Sequence, residues 1–515
     1  MTDRFRRASG ILLHPTSLPG PYGVGELGAG ALAFLDFLAK AGQGLWQVLP
    51  LGPTGYGDSP YASFSTFAGN PLLVSVEELV AAGDLEAGDL EVLRQLPRAA
   101  VDYGRLSAVK LPLLRLAARR FLAGATPARR EAYERFCEEE RAWLEDFALF
   151  MAVKDRMPAA GGGTTAWNFR WDRDIAERVP AALERWRRDA ADAVAEWKVI
   201  QFHFFAQWRA LREHARALGI RIIGDLPIFV APDSADLWAN PELFKLDGRR
   251  RPAVVSGVPP DYFSSTGQLW GNPLYDWEEM RRQGFAWWIE RLRFALRMFD
   301  FVRIDHFRGF QACWEVPAGE PTAVHGRWVE TPGSELFDEA RRALGDMPVI
   351  AEDLGVITPE VEQMRERFGF PGMIILQFAF DAREAGGLDP ANRFLPHNHR
   401  RDSVVYTGTH DNDTTVGWFA DRTAEERRLI GRYLGCRLRD VARSFVRLAM
   451  SSVARHAVVP LQDTLGLGRE ARMNTPSTPG GNWRWRAGDG ALAPGLAEEL
   501  HELAALYGRA PDARR

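Results

Sequence analysis

Residues 301–309 read F-V-R-I-D-H-F-R-G: an apolar, β-prone run that ends on the carboxylate of Asp305 and then breaks into polar residues and glycine. The same grammar recurs at 349–355, V-I-A-E-D-L-G, and at 406–414, Y-T-G-T-H-D-N-D-T. A strand that stops on a carboxylate and opens into a loop is how a barrel of parallel strands delivers side chains to its carboxyl-terminal rim. Eight apolar, β-branched runs that end in Gly, Pro, Asp or His are found along the chain, at 10–14, 45–51, 221–229, 301–306, 349–354, 373–380, 403–410 and 458–463. Helical stretches at 285–298, 335–344 and 424–435 separate the later ones. Strands alternating with helices indicate parallel βαβ units. The expected fold is therefore α/β, a (β/α)8 TIM barrel that spans residues 1–515 as one catalytic domain.

The spacing of the runs is uneven. Between the second and third lies a segment at 74–213, rich in Ala, Leu, Arg and Glu with helical periodicity, expected to be a helical insertion broken by a glycine turn at 161–163. Between the third and fourth, residues 231–277 carry six prolines with many glycines and aromatics. Long loops inside a compact domain are usually functional, and this one leaves the rim where an active site belongs. The C-terminus shows no β-sandwich domain.

A net charge of −4 offers no attraction for nucleic acid or an anionic membrane. No apolar run is long enough to span a bilayer, and the basic N-terminus lacks the apolar stretch of a secretory signal. Three scattered cysteines, Cys137, Cys313 and Cys436, build neither a disulfide framework nor a zinc site. The expected compartment is the cytoplasm. No dinucleotide fingerprint, P-loop or metal-ligand spacing is present, so no cofactor and no metal are expected.

Two carboxylates on different strands form the set that cleaves a glycosidic bond, one as nucleophile and one as acid/base. Arg303 and Asp305 are two apart and share a strand face, where the guanidinium favours the ionised carboxylate; a structural ion pair uses the same spacing. Glu352 and Asp353 are neighbours and cannot face the same way, and periodicity does not choose between them. His410, Asp411, Asn412 and Asp413 suit hydroxyl recognition better than metal binding. Among 17 tryptophans, those in loops (Trp167, Trp171, Trp238, Trp270, Trp418, Trp483 and Trp485) could stack on sugar rings, whereas Trp287 and Trp288 read as helix packing. The turn-rich stretches at 12–25 and 50–61 follow the first two strands and read as site-forming loops.

With these residues the chain closely resembles the amylomaltases, the disproportionating 4-α-glucanotransferases of the α-amylase superfamily. The resemblance runs from H-P-T-S-L-P-G-P-Y-G at 14–23 through G-D-L-P-I-F-V at 224–230 and G-V-P-P-D-Y-F-S-S-T-G-Q-L-W-G-N-P at 257–273. It continues through the three acidic motifs and P-L-Q-D at 460–463 to N-T-P-S-T-P-G-G-N-W-R-W-R at 474–486. It implies Asp305 as nucleophile, Glu352 as acid/base and Asp411 as a third catalytic carboxylate that binds ring hydroxyls. It also implies that Arg303, His410, Asp225, Tyr56, Trp270 and Asn474 bind substrate, with Asp261, Tyr262 and Phe263 in a lid over the site. The implied reaction is retaining transfer from an α-1,4-glucan or maltooligosaccharide donor to glucose or another glucan. The nearest alternative is an α-amylase-type hydrolase, with water as acceptor. Two further alternatives are a non-catalytic glucan-binding protein and a metal-dependent barrel hydrolase.

Overall fold

Eight parallel strands run in the order β10-β11-β12-β1-β2-β3-β6-β9 in the computed structural model, which describes residues 6–157, 166–260, 264–380, 388–435, 438–478 and 480–511. In chain order they are β1 (Ala8–Leu12), β2 (Leu45–Gln47), β3 (Arg221–Pro227), β6 (Phe301–Asp305), β9 (Val349–Ala351), β10 (Gly372–Ile375), β11 (Ser403–Tyr406) and β12 (His456–Pro460). The remaining strands, β4 (Val254–Val258), β5 (Gln268–Pro273), β7 (Ala312–Pro317) and β8 (Arg327–Glu330), form a separate antiparallel sheet. The barrel closes where the Ala351 N–H donates to the carbonyl of Pro371 at 2.9 Å. Both faces of β9 and β11 are buried, one by the lumen and one by helices, as parallel strands require. Across the lumen the Tyr406 hydroxyl donates to Gln47 at 2.8 Å.

The runs expected as strands are placed correctly but overextended. The run at 373–380 is a strand only to Ile375, and Leu376–Ala379 turns helical. That at 403–410 ends at Tyr406, and the one at 458–463 becomes helical at Leu461. The first strand lies slightly earlier, at Ala8–Leu12.

Helices Tyr103–Gly124, Pro127–Glu139, Arg141–Arg156, Pro180–Asp189 and Ala191–Ala217 lie between β2 and β3. The last runs for 27 residues and leads into β3. Trp167, Trp171 and Trp238 pack against one another here, with ring centroids 6.3 and 5.5 Å apart. All three are buried; they are core, not sugar platforms. Beyond β3, residues 231–277 contribute a hairpin as well as loops, since β4 and β5 pair antiparallel. After β6 the strands β7 and β8 add to that hairpin, in the order β5-β4-β7-β8. This small sheet meets the barrel just beyond β6, where Trp270 packs on His306. Among the described residues no helix is long and apolar enough to cross a membrane.

Candidate active site

The register of the barrel builds the site before any loop is considered. β3 and β6 pair with Asp225 opposite Arg303, and Asp305 lies two residues further along the same face. Arg303 is buried. Its Nη1 lies 2.8 and 2.7 Å from the two carboxylate oxygens of Asp225, and its Nη2 lies 2.8 Å from Oδ1 of Asp305. Burial pulls the proton affinity of this guanidinium down, but the flanking carboxylates outweigh it and hold the group above its usual range. Burial raises Asp225, against the pull of Arg303. Asp305 keeps 30% of its side chain open to the cleft.

β6 and β9 pair through Ile304 and Ala351, so the next residues, Asp305 and Glu352, reach the rim side by side. The Glu352 carboxyl accepts the His306 N–H at Oε2 and the Leu354 N–H at Oε1, both at 2.8 Å. Burial first, then the charge of Asp305, push Glu352 up to about 7; Arg303 and the two N–H groups oppose the shift. A carboxyl that titrates near neutrality can give a proton and take it back. Asp353 falls on the outer side of the strand. It is buried, accepts the Met373 N–H at 2.8 Å and faces Arg365 and Arg393 at 3.4 Å. Asp353 is a structural anchor, and the alternation of the strand makes it so.

The loop after β11 supplies the third wall. Asp411 accepts from the Asn474 side-chain amide at 2.6 Å and lies 3.3 Å from Nε2 of His410. Burial pulls Asp411 upward, but His410 and Asn474 hold it below the usual carboxylate range. In return Asp411 overcomes the burial of His410 and raises that imidazole. Asn412 and Asp413 turn away, Asn412 fixing the Thr409 N–H and Asp413 meeting Arg469. Tyr61, from the loop after β2, completes the ring: its hydroxyl donates to Asp225 at 2.7 Å and its ring stacks on His410 at 5.2 Å. Among the described residues no three His, Cys, Asp or Glu side chains stand where they could jointly hold a metal ion.

A rim with one carboxyl that titrates near neutrality beside a second one paired to a buried guanidinium has the groups that acid-assisted displacement at a glycosidic carbon needs. The family model for 4-alpha-glucanotransferase matches residues 13–490. The chain belongs to the 4-alpha-glucanotransferase family. A 4-alpha-glucanotransferase of Thermus thermophilus is 54% identical over 506 residues, which cover 97% of this chain and 98% of that one. The chloroplastic/amyloplastic 4-alpha-glucanotransferase of Solanum tuberosum is 45% identical, with 98% of this chain and 87% of that one covered. The solved amylomaltase of Streptococcus agalactiae in complex with acarbose superposes with a TM-score of 0.93 at 38% identity, over 98% of this chain and all of that one. The reaction is that of the family, transfer of segments of α-1,4-glucan.

Within this 4-alpha-glucanotransferase fold, Asp225, Arg303, Asp305, Glu352, His410, Asp411 and Asn474 come together at one rim. Trp270, on β5, meets the ring of His306 just beyond the end of β6. Tyr56 is 81% exposed on a short turn; Tyr61, five residues on, is the aromatic of that loop that reaches Asp225. Asp261, Tyr262 and Phe263 lie outside the described residues. Reading the sequence singled out the loop at 50–61 but not Tyr61, whose role depends on a contact 164 residues away. It also passed over His14, buried near His410. Burial, with the charge of His410, holds His14 down to about 3, so it stays neutral at the edge of the site.

Proposed function

We propose that this transferase works by double displacement with Asp305 as nucleophile and Glu352 as acid/base. The observation that carries the reading is the division of labour between two neighbouring carboxyls. Glu352 is pushed up to about 7, while Asp305 is in contact with the Arg303 guanidinium. Glu352 protonates the glycosidic oxygen as Asp305 attacks the anomeric carbon; the bond to the leaving 4-oxygen breaks and a β-glucanyl ester forms. Glu352, now a carboxylate, takes the proton from the 4-hydroxyl of an acceptor, which displaces Asp305 and restores the α-1,4 linkage. Asp411, held by His410 and Asn474, is placed to accept hydroxyls of the sugar at the cleavage point. Glucose and maltooligosaccharides are the acceptors in this reading, and the cytoplasm is its compartment.

Asp305→Asn and Glu352→Gln should each lower turnover on maltotriose by at least ~1000-fold, because each removes one half of the covalent mechanism. Glu352→Gln should still release fluoride in a single turnover of α-glucosyl fluoride, whose leaving group needs no acid. Normal turnover in Asp305→Asn would sink the assignment. Products from maltotriose distinguish the acceptor: a ladder of longer and shorter oligosaccharides marks glucan, and a steady rise in reducing ends marks water.

A further inference from the structure

His306 directly follows Asp305 and sits in the left-handed region, at φ 51° and ψ 50°. A residue with a Cβ rarely adopts that conformation unless its surroundings hold it there. In it the backbone N–H meets Oε2 of Glu352 at 2.8 Å. The imidazole packs edge-on to Trp270, with centroids 4.7 Å apart and planes at 87°, and lies 6.4 Å from the ring of Phe229. On another side, a Cβ at Gly309 would come within 3.1 Å of Cδ2 of His306. Trp270 belongs to β5 of the small sheet. Trp328 on β8 of the same sheet lies under the Arg308 guanidinium, 3.9 Å from ring centroid to carbon. Arg308 in turn donates to the carbonyl of Val356 at 2.6 Å, on the loop that follows Glu352. The small sheet thus touches the segment that follows β6 and, through Arg308, is linked to the loop that carries the Leu354 N–H.

We propose that His306 is a positioning residue for Glu352: its ring, held by Trp270 and Phe229, keeps residue 306 left-handed, and that conformation aims the N–H that fixes the carboxyl. The proposal rests on Glu352 being the acid/base. The influence runs through the N–H and not through charge, because burial holds the imidazole at about 4 and so neutral where Glu352 titrates. The charges that face Glu352 are Asp305 and Arg303, both from β6, and from its own loop comes the Leu354 N–H. Arg308 contacts Trp328 and Val356, and its charge interacts with Glu360. An N–H donated to the ionised form favours that form, so its loss makes the acid hold its proton more tightly.

The test uses the full chain and the pH profile of kcat/KM on maltotriose. His306→Ala loses the ring and disfavours the left-handed backbone; its alkaline limb should move up by about 0.5–1 pH unit, a three- to tenfold change in proton affinity. His306→Asn, which tolerates the left-handed region, should recover at least half of that shift. Trp270→Ala should move the limb the same way, with no further shift in the double variant. Single-turnover fluoride release from α-glucosyl fluoride should stay within threefold of wild type in His306→Ala. An unmoved limb in His306→Ala, an equal shift in Asn and Ala, or fluoride release falling as far as maltotriose turnover would each overturn the proposal. Glu352→Gln run beside it separates the two readings: if that variant also fails on fluoride, the acid/base assignment has failed, and if it succeeds the failure belongs to His306.

Discussion

A carboxyl that must surrender a proton and recover it within one catalytic cycle has to bind that proton neither tightly nor weakly at working pH. Glu352 meets this through burial and the charge of Asp305, checked by Arg303 and two backbone N–H groups. The sign follows from its first task. In the proposed mechanism the free enzyme attacks a donor only with Glu352 protonated, so kcat/KM on maltotriose should fall as pH rises through about 7, tenfold per unit beyond it. The first step on α-glucosyl fluoride needs no acid and should show no such limb; a limb near 7 on both donors would mean another group titrates. Which of Glu352 and Asp353 faces the site was not legible in the periodicity of the strand, and only the family resemblance pointed to Glu352. Both strand faces of a barrel are buried, so hydrophobic alternation carries no sign, and only the pairing of β6 with β9 decides it. Arg303 and Asp305 were legible together because two residues on one strand, two apart, share a face whatever the register.

The elements that could be read from sequence are those whose burial is set locally. The barrel strands are continuous apolar runs, and the glycine or polar residues after them mark the rim. Their C-terminal limits could not be read, as at I-I-L-Q-F-A-F (374–380), because buried helix and buried strand look alike over so few residues. The small sheet was missed for a different reason: β4, β5, β7 and β8 are four to six residues long, three of them carry Pro or Gly, and β4 pairs with β7 across β6. The loop after β2 was recognised as site-forming, yet which of its tyrosines enters the site depends on β3. That contact can be tested. Tyr61→Phe keeps the ring on His410 but withdraws the hydroxyl from Asp225, leaving a buried carboxylate with Arg303 alone. Turnover should drop roughly tenfold, about 1.4 kcal/mol, in line with a hydrogen bond to a charged group, while the melting temperature changes by only a few degrees. Wild-type turnover in Tyr61→Phe would confine Tyr61 to packing.

At the scale of the molecule, the helical insertion has to be fixed to the barrel if the loops between them are to hold their shape. The chain has five lysines, and four of them, Lys110, Lys154, Lys198 and Lys245, reach an acid from a distant segment. Lys110 is the fully buried one. From helix Tyr103–Gly124 it pairs with Glu26, on the loop after β1, and donates to the carbonyl of Leu72, beyond the loop of Tyr61, at 2.8 Å. Glu26 also accepts the Val76 N–H at 3.3 Å. Burial works against both charges, raising Glu26 and lowering Lys110, while each partner opposes the shift in the other. Such a pair adds little net stability but is costly to break, because the survivor is a buried charge without a counter-ion. Lys110→Met and Glu26→Leu should therefore each destabilise the fold by about 3–5 kcal/mol, and the double variant should recover most of that loss. Thermal unfolding of the two single variants and the double measures it. If the losses simply add, the two residues act separately, and the insertion is held to the barrel by its apolar packing instead.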